Sequence, residues 1–375
     1  MFLWLKKNLF SNGFNTLLTI VSFIFIYQVI WPLISWSLTL AQWQVIGANF
    51  RLFFVGYYPE ALLWRIWLSL SVLAAMTGLS WGVLSPTKHR SFTFFITFLA
   101  TASLSLFPVV GVQSSLLLLG IVALLGLTKW LGSSLGFLVR WLSIIWPMTF
   151  FLVLWLLQGG LFLEPVSYNQ FSGLILTLLV ALVSIFLSFP LGVLLAVGRQ
   201  SQLLVIRWLS IAYIEIIRGL PLIGILFIAQ VLLPLILPRN IRLDSMLRAI
   251  AGFTIFSSAY LAENVRGGLQ SIPRGQTEAA KALGLNPILV LMLVILPQAL
   301  RAVIPTIVGQ FISLFKDTSL LSMVGLVDLL GISQSILGNP KYQGRNVEVY
   351  LFLGFIYWFF CSLMAWGSRQ LEQKA

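Results

Sequence analysis

The chain has 375 residues, of which 59% are hydrophobic, 14% aromatic and only 9% charged, and its mean hydropathy is +1.00. These values exclude a water-soluble globular domain and make a bilayer the solvent for most of the chain. The formal net charge is +13, but the 23 Lys and Arg residues form no dense basic run with interleaved aromatics, so no nucleic-acid partner is expected.

Apolar stretches of about 20 residues recur throughout, each long enough to cross roughly 30 Å of hydrocarbon as an α-helix. The alternation of a β-barrel is missing. The expected fold is an all-α integral membrane protein embedded in membrane lipid, with spans near 15 to 38, 65 to 85, 92 to 110, 114 to 128, 141 to 162, 173 to 197, 212 to 236, 249 to 265, 290 to 310 and 348 to 367, about ten transmembrane helices in all. Lys6 and Lys7 ahead of an apolar run resemble the start of a signal peptide, but Phe14 to Leu40 exceeds the usual apolar region of about 7 to 15 residues. The run is read as an uncleaved first span, with Thr39-Leu40-Ala41 leaving cleavage open.

Threading the spans from a cytoplasmic N-terminus puts Lys6, Lys7, Lys88, Arg90, Lys129, Arg140, Arg199, Arg207, Arg266, Arg274, Lys281, Arg369 and Lys374 inside, more than half of the 23 cations. Both termini are then cytoplasmic. Arg51, Arg65, Arg239, Arg242, Arg248, Lys316, Lys341 and Arg345 fall outside, several of them in the long external stretches 39 to 64 and 311 to 347, which charge constrains less.

Up to about residue 165 the spans carry few ionisable groups, whereas polar residues gather at specific places from Phe171 onward. The turn-rich Leu163-Glu164-Pro165-Val166-Ser167-Tyr168-Asn169-Gln170 marks a boundary, giving an N-terminal extension over 1–165 with about five spans and a second domain over 171–372.

Glu215 and Arg218 sit three apart near the inner end of the 212 to 236 span, close enough to pair on one helix face. They read either as an interfacial pair reaching water or as a pair at a gate, and Gly219-Leu220-Pro221 would bend the helix beyond them. Glu263, with Arg266 and Gly267-Gly268 following, also lies toward the inner end of its span.

Residues Arg274 to Arg301 interrupt the apolar pattern. Pro273 suits a first helical turn, Gln276 to Leu283 contains helix formers, Gly284 ends the helix, and Asn286-Pro287 caps and opens the next. A helix of about 11 residues is only about 16 Å long, too short to cross, so it lies on a surface or in another protein. Ala279, Ala280 and Ala282 permit close approach, and Glu278 and Lys281 share a wet face. An interfacial helix usually carries Trp, Phe or several Lys, so docking to a soluble partner is the better reading than resting on headgroups.

Glu278-Ala279-Ala280, three residues, Gly284, nine residues and Val294-Ile295-Leu296-Pro297 resemble the EAA loop of permease subunits in binding-protein-dependent ABC importers, with Val294 where Ile is common. Ala212 to Pro221, Ala259 to Gly268 and Phe311 to Leu320 resemble the polar amino-acid branch, which includes histidine, glutamine and general L-amino-acid importers. The N-terminal length is similar to the extended permease subunit of the general importers. The resemblance implies a C-terminal five-helix type I ABC importer permease core over 171–372, with its cytoplasmic coupling (EAA) loop at 271–297. It implies L-amino-acid transport across a bacterial plasma (inner) membrane, with an ABC ATPase subunit, an extracytoplasmic amino-acid-binding protein and a second, related permease subunit as partners.

On the motif positions, the ATPase-coupling residues would be Arg274, Gly275, Thr277, Glu278, Ala279, Ala280 and Gly284. The substrate path would take Glu263 for an ammonium group and Lys316, Thr318 or Ser319 for a carboxylate, with Asp317 nearby. A solvated external loop is the competing reading for 316 to 319, although Phe315 and Leu320-Leu321 suggest a segment dipping into the protein.

No cofactor or metal is expected, and no catalysis: Cys361 and His89 are each alone of their kind, which leaves no thiolate cluster and no Ser/His/Asp set. No Gly-Lys dipeptide occurs, so a Walker A loop is missing and ATP hydrolysis belongs to a separate subunit. The rival is an ion-coupled secondary amino-acid transporter, for which acidic groups near the bilayer midplane would be diagnostic.

Overall fold

The computed structural model describes residues 2–84, 90–105, 107–238 and 242–372. Lys88, Arg239 and Lys374, whose sides of the membrane were assigned above, and the lone His89 lie outside the described residues. Among the described residues there are helices and turns, with two isolated bridges between extended residues.

α1 (Gly13–Thr39) starts where the Asn12 side chain accepts the Asn15 N–H at 2.8 Å, satisfying a donor the helix leaves free. None of its residues is buried by the rest of the protein, which suits a helix surrounded by lipid. The short helical turns Gln44–Ala48 and Phe50–Val55 follow, then α2 (Leu63–Leu84), α3 (Arg90–Ser105), α4 (Phe107–Gly132) and α5 (Leu142–Gln158). α2 and α4 meet through backbone: a Cβ on Gly78 would lie 2.3 Å from the Leu125 carbonyl oxygen, and one on Gly82 2.2 Å from that of Lys129. Small residues are how helices associate closely where lipid removes the hydrophobic driving force.

The second half comprises α6 (Gly173–Arg199), α7 (Leu204–Gly219), α8 (Leu222–Ile236), α9 (Ser245–Ser271), α10 (Arg274–Ala282), α11 (Leu296–Asp317), α12 (Leu329–Leu337) and α13 (Asn346–Glu372). α6 and α9 run through its centre, with Leu176, Val180, Ala249, Phe253 and Leu261 fully buried. Thr177, Ser184, Ser188 and Ser257 are buried with them, and Ser184 Oγ donates to the Ile250 carbonyl at 3.4 Å.

Eight described helices are long and apolar enough to cross a membrane, or nine if the bent pair α7–α8 is one span. The difference from ten arises at 92 to 128, where α3 has only 16 residues and α4 begins directly after it, kinked at Gly111. Gly219-Leu220-Pro221 breaks the helix as expected, with Leu220 and Pro221 extended and a bend of 104°. The end assigned at residue 310 is corrected: α11 runs to Asp317 and passes into a 3₁₀ segment, Thr318–Val324, so the span covers Pro287–Val324. Its charged Lys316-Asp317 pair made helix read as loop.

Residues before 165 join the same core as those after. Tyr58, Leu157 and Val166 form one buried cluster with Phe171, Leu176, Phe253 and Phe315. Gly56 has φ 59° and ψ −132°, a conformation essentially confined to glycine, and its amide neighbour Tyr57 donates to Ser172 Oγ at 2.7 Å. The side chain of Arg65, fully buried, donates to the Glu164 carbonyl at 2.7 Å and holds the turn-rich link against the start of α2.

Candidate functional site

The surface helix α10 is built as its residues dictate. Pro273 is extended and occupies the cap position, one residue earlier than expected, because the helix begins at Arg274. Gly284 has φ 80°, the left-handed conformation that ends helices, and Asn286 Oδ1 accepts the Leu289 N–H at 2.9 Å with Pro287 in the first turn. The three alanines divide. Ala280 is buried in a cluster with Leu269, Val290, Ile295 and Ala299, whereas Ala279 and Ala282 are exposed beside Arg274, Gly275, Glu278, Leu283 and Gly284. Thr277 is half-buried, and Gln298 Nε2 donates to Gln276 Oε1 at 3.3 Å. One face of α10 therefore clips to its own core while the other is open.

At the same end of the bundle the termini of α6, α7 and α9 converge on a cluster of charges. Arg199 reaches Glu215 at 3.1 Å and Glu263 at 3.3 Å, and Arg218 lies 3.7 Å from Glu263. Arg266 Nε donates to Glu263 at 2.9 Å, one turn along α9. The expected Glu215–Arg218 pair is thus corrected. Glu215 reaches across to α6, while Arg218 turns to Glu263 and the face of Tyr260, 5.5 Å from the ring centroid. Both Glu263 oxygens are taken by arginines, so a substrate ammonium would compete with three guanidiniums.

α11 has two unlike faces. Ile307, Leu314 and Phe315 are buried, whereas Arg301, Ala302, Pro305, Thr306, Gly309 and Lys316 are exposed, with Gln310, Ser313 and Asp317 half-buried. From Val294 to Ser322 the described chain exposes no large hydrophobic side chain, while α1 and α13 expose Phe25, Trp31, Phe355 and Trp358. A helix face turned to lipid is apolar, so this face of α11 is matched to water or protein instead.

Of the residues expected on the path, Lys316 alone sits fully on this face and Asp317 at its edge. Thr318, the first residue of the 3₁₀ segment, is buried and donates to the Phe315 carbonyl at 2.6 Å; Ser319 is half-buried.

Three residues of this architecture were not singled out from sequence. Arg199 closes α6 and holds both Glu215 and Glu263. Arg301 is an ionisable residue inside a span, which by itself marks a functional candidate. Asp328 is fully buried at the end away from α10, where its carboxylate accepts the Gly331 N–H at 2.9 Å and the Leu330 N–H at 3.3 Å and so caps α12. An Asp just before an apolar run is a readable helix-start signal. Burial raises the Asp328 pKa to about 7 against the opposing pull of its backbone donors.

Among the described residues no group of three His, Cys, Asp or Glu side chains could hold a metal ion. The family described as binding-protein-dependent transport system inner membrane component matches residues 188–375. The chain is 36% identical to the inner membrane amino-acid ABC transporter permease protein YhdY of Escherichia coli strain K12, over 99% of this chain and 92% of that protein. It is 35% identical to the glutamate/glutamine/aspartate/asparagine transport system permease protein BztC of Rhodobacter capsulatus, over 99% of this chain and 93% of that one. The probable glutamine ABC transporter permease protein GlnP of Bacillus subtilis is 38% identical but matches 54% of this chain with 92% of its own length, so the long relatives extend the likeness across the first half. The chain belongs to the family of binding-protein-dependent transport system inner membrane components, the multi-pass permeases of ABC transporters.

Proposed function

We infer that this permease carries L-amino acids into the cell as one membrane subunit of an importer driven by a separate ABC ATPase. The observation that carries the reading is α10: nine residues, clipped to the core through Ala280, with Glu278-Ala279 and Leu283-Gly284 free on the open side. Arg274, Gly275, Thr277, Glu278, Ala279 and Gly284 would receive the ATPase, and Ala280 would pass its movement to α9 and α11. Amino acids enter the reading through the names of YhdY, BztC and GlnP. The match to a binding-protein-dependent family favours this over an ion-coupled carrier.

The polar face of α11 would line the translocation path, with Lys316 and Asp317 toward its outer end, Ser319 beyond them and Thr318 supporting them from inside. Glu263 would serve the inner end of the path as the hub that holds Arg199, Arg218 and Arg266, with Glu215 beside it. Opening toward the cytoplasm then requires these helix ends to separate. Residues 1–165 would form the extension and 171–372 the transport core. Both termini would lie on the α10 side, in the cytoplasm, with a binding protein on the opposite face and a different, related permease as the second subunit.

Uptake of a panel of radiolabelled L-amino acids by cells with and without this chain tests the reading. Loss of uptake without the chain, restored by the wild type but not by Gly284→Val, together with co-purification of an ATPase, is the expected result. Uptake that persists when the ATPase is removed would sink it.

A further inference from the structure

Arg301 stands out once the charges of α11 are followed along its open face. The residue is exposed, and among the described residues it makes no ion pair or hydrogen bond. Arg199, Arg218 and Arg266 at the same end are all held by Glu263 or Glu215. The height of Arg301 follows from α9: a Cβ on Gly268 would lie 2.6 Å from the Ala299 carbonyl oxygen, so Arg301 is level with the charged end of α9. Lys316 stands on the same open face 15 residues further on, about 22 Å away at 1.5 Å per residue.

An arginine at such a place has two common explanations, snorkelling to a lipid headgroup or meeting an anion in a wet cavity. Snorkelling requires a face otherwise matched to acyl chains. The face between Arg301 and Lys316 is instead Ala302, Pro305, Thr306, Gly309 and Ser313, with no large exposed hydrophobic side chain. An unpaired guanidinium on a wet face offers a planar fork of donors shaped for a carboxylate.

We propose that Arg301 binds the α-carboxylate of the transported amino acid at the inner end of the path, a second cationic station below Lys316. The assignment rests on the reading that the open face of α11 lines the path. It also fixes the substrate class: whatever the side chain, a free α-carboxylate is required. Release past Arg301 would leave its charge facing the ionic cluster at the α10 end, so that carboxylate binding and opening of that end meet in one layer.

The test uses the complete importer, permease subunits with their ATPase, purified in nanodiscs without the binding protein. Equilibrium binding is measured for L-glutamine, for L-glutamine α-carboxamide, which lacks the α-carboxylate, and for L-arginine. Wild-type importer should favour each free amino acid over the carboxamide. Arg301→Gln should weaken L-glutamine and L-arginine about ten- to hundredfold, the range for a lost charge-assisted hydrogen bond, with little change for the carboxamide. Arg301→Lys should recover part of the loss, and subunit composition on size exclusion should stay intact.

Unchanged L-glutamine affinity in Arg301→Gln would overturn the assignment while leaving the path reading standing. Loss of the second permease from both Arg301→Gln and Arg301→Lys would overturn it too, making Arg301 a subunit contact. A transport-competent wild-type importer that binds none of the three probes would overturn the path reading itself.

Discussion

Arg199 at the end of α6 and Glu263 on α9 lie 3.3 Å apart, joined across 64 residues of sequence at the end of the bundle that carries α10. Each also has a partner on α7, Glu215 for Arg199 and Arg218 for Glu263, so the contact ties three helix termini rather than two. Because both side chains are only about a quarter exposed or less, the pair is less screened than a surface bridge.

Glu263→Gln should therefore leave three guanidiniums facing one another. Removing one partner of a buried charge set costs about 3–5 kcal/mol, and partial exposure here reduces that to roughly 1–3 kcal/mol. Thermal unfolding of the purified protein should show a lower midpoint, and a double-mutant cycle with Arg199→Gln a coupling of about 1 kcal/mol or more. Additive effects of the two changes would mean that the contact does not tie α6 to α9.

Ala280→Leu and Ala279→Arg should act in opposite ways although the residues are adjacent. Ala280 is buried against Leu269, Val290 and Ala299, so the larger side chain overpacks the joint and destabilises by about 1–3 kcal/mol. Ala279 is exposed, and the arginine should leave the melting temperature within experimental error while abolishing ATPase co-purification. Equal effects on stability would contradict the division of the α10 faces.

Thr306→Cys and Gly309→Cys, made with Cys361 replaced by Ser, should react with a membrane-impermeant charged maleimide, whereas Phe355→Cys on α13 should not. The first two stand on the polar face of α11 and the third is an exposed aromatic on a lipid-matched helix. Labelling of Phe355→Cys alone would remove the path from α11.

The pH dependence of stability has a component from Asp328. Its pKa of about 7 in the folded protein lies above the unfolded value of about 3.9, so the folded state binds more protons between those two pH values. The contribution is fully present below about pH 4 and is lost as pH rises toward 7, at no more than about 1.4 kcal/mol per pH unit. Asp328→Asn keeps a capping side chain and should flatten this component in a melting series from pH 4 to 8. Asp328→Ala removes the titrating group and the cap together, and should lie about 1 kcal/mol below Asp328→Asn at every pH. An unchanged slope in Asp328→Asn would show that another group titrates.

Gly56→Ala should detach residues 40–62 from the second half. A Cβ there would lie 2.1 Å from Ser172 Oγ, and the backbone conformation disfavours any side chain by about 1–3 kcal/mol. Faster proteolysis within 40–62 in membranes, with the rest of the chain resistant, is the expected result.

What was readable before the fold was known is local. A short helix between Pro273 and Gly284, its restart at Asn286-Pro287 and the break at Leu220-Pro221 follow from capping and proline chemistry, which act within a few residues. Lys316-Asp317 misled because a charge pair looks the same in a loop and on the last turn of a helix. Glu215 and Arg218 misled because the three-residue spacing names a neighbour without saying that Arg199 and Glu263 stand closer.

The sequence by itself determined the solvent, the number of crossings to within two, and the short exposed helix after Pro273, since hydropathy and helix-end signals are properties of short segments. Only the tertiary structure decided which arginines Glu263 gathers, which alanine α10 buries, and which face of α11 stays open. Those outcomes depend on helices far apart in sequence coming to lie side by side, and a side chain's partner is set by that packing rather than by its neighbours in the chain.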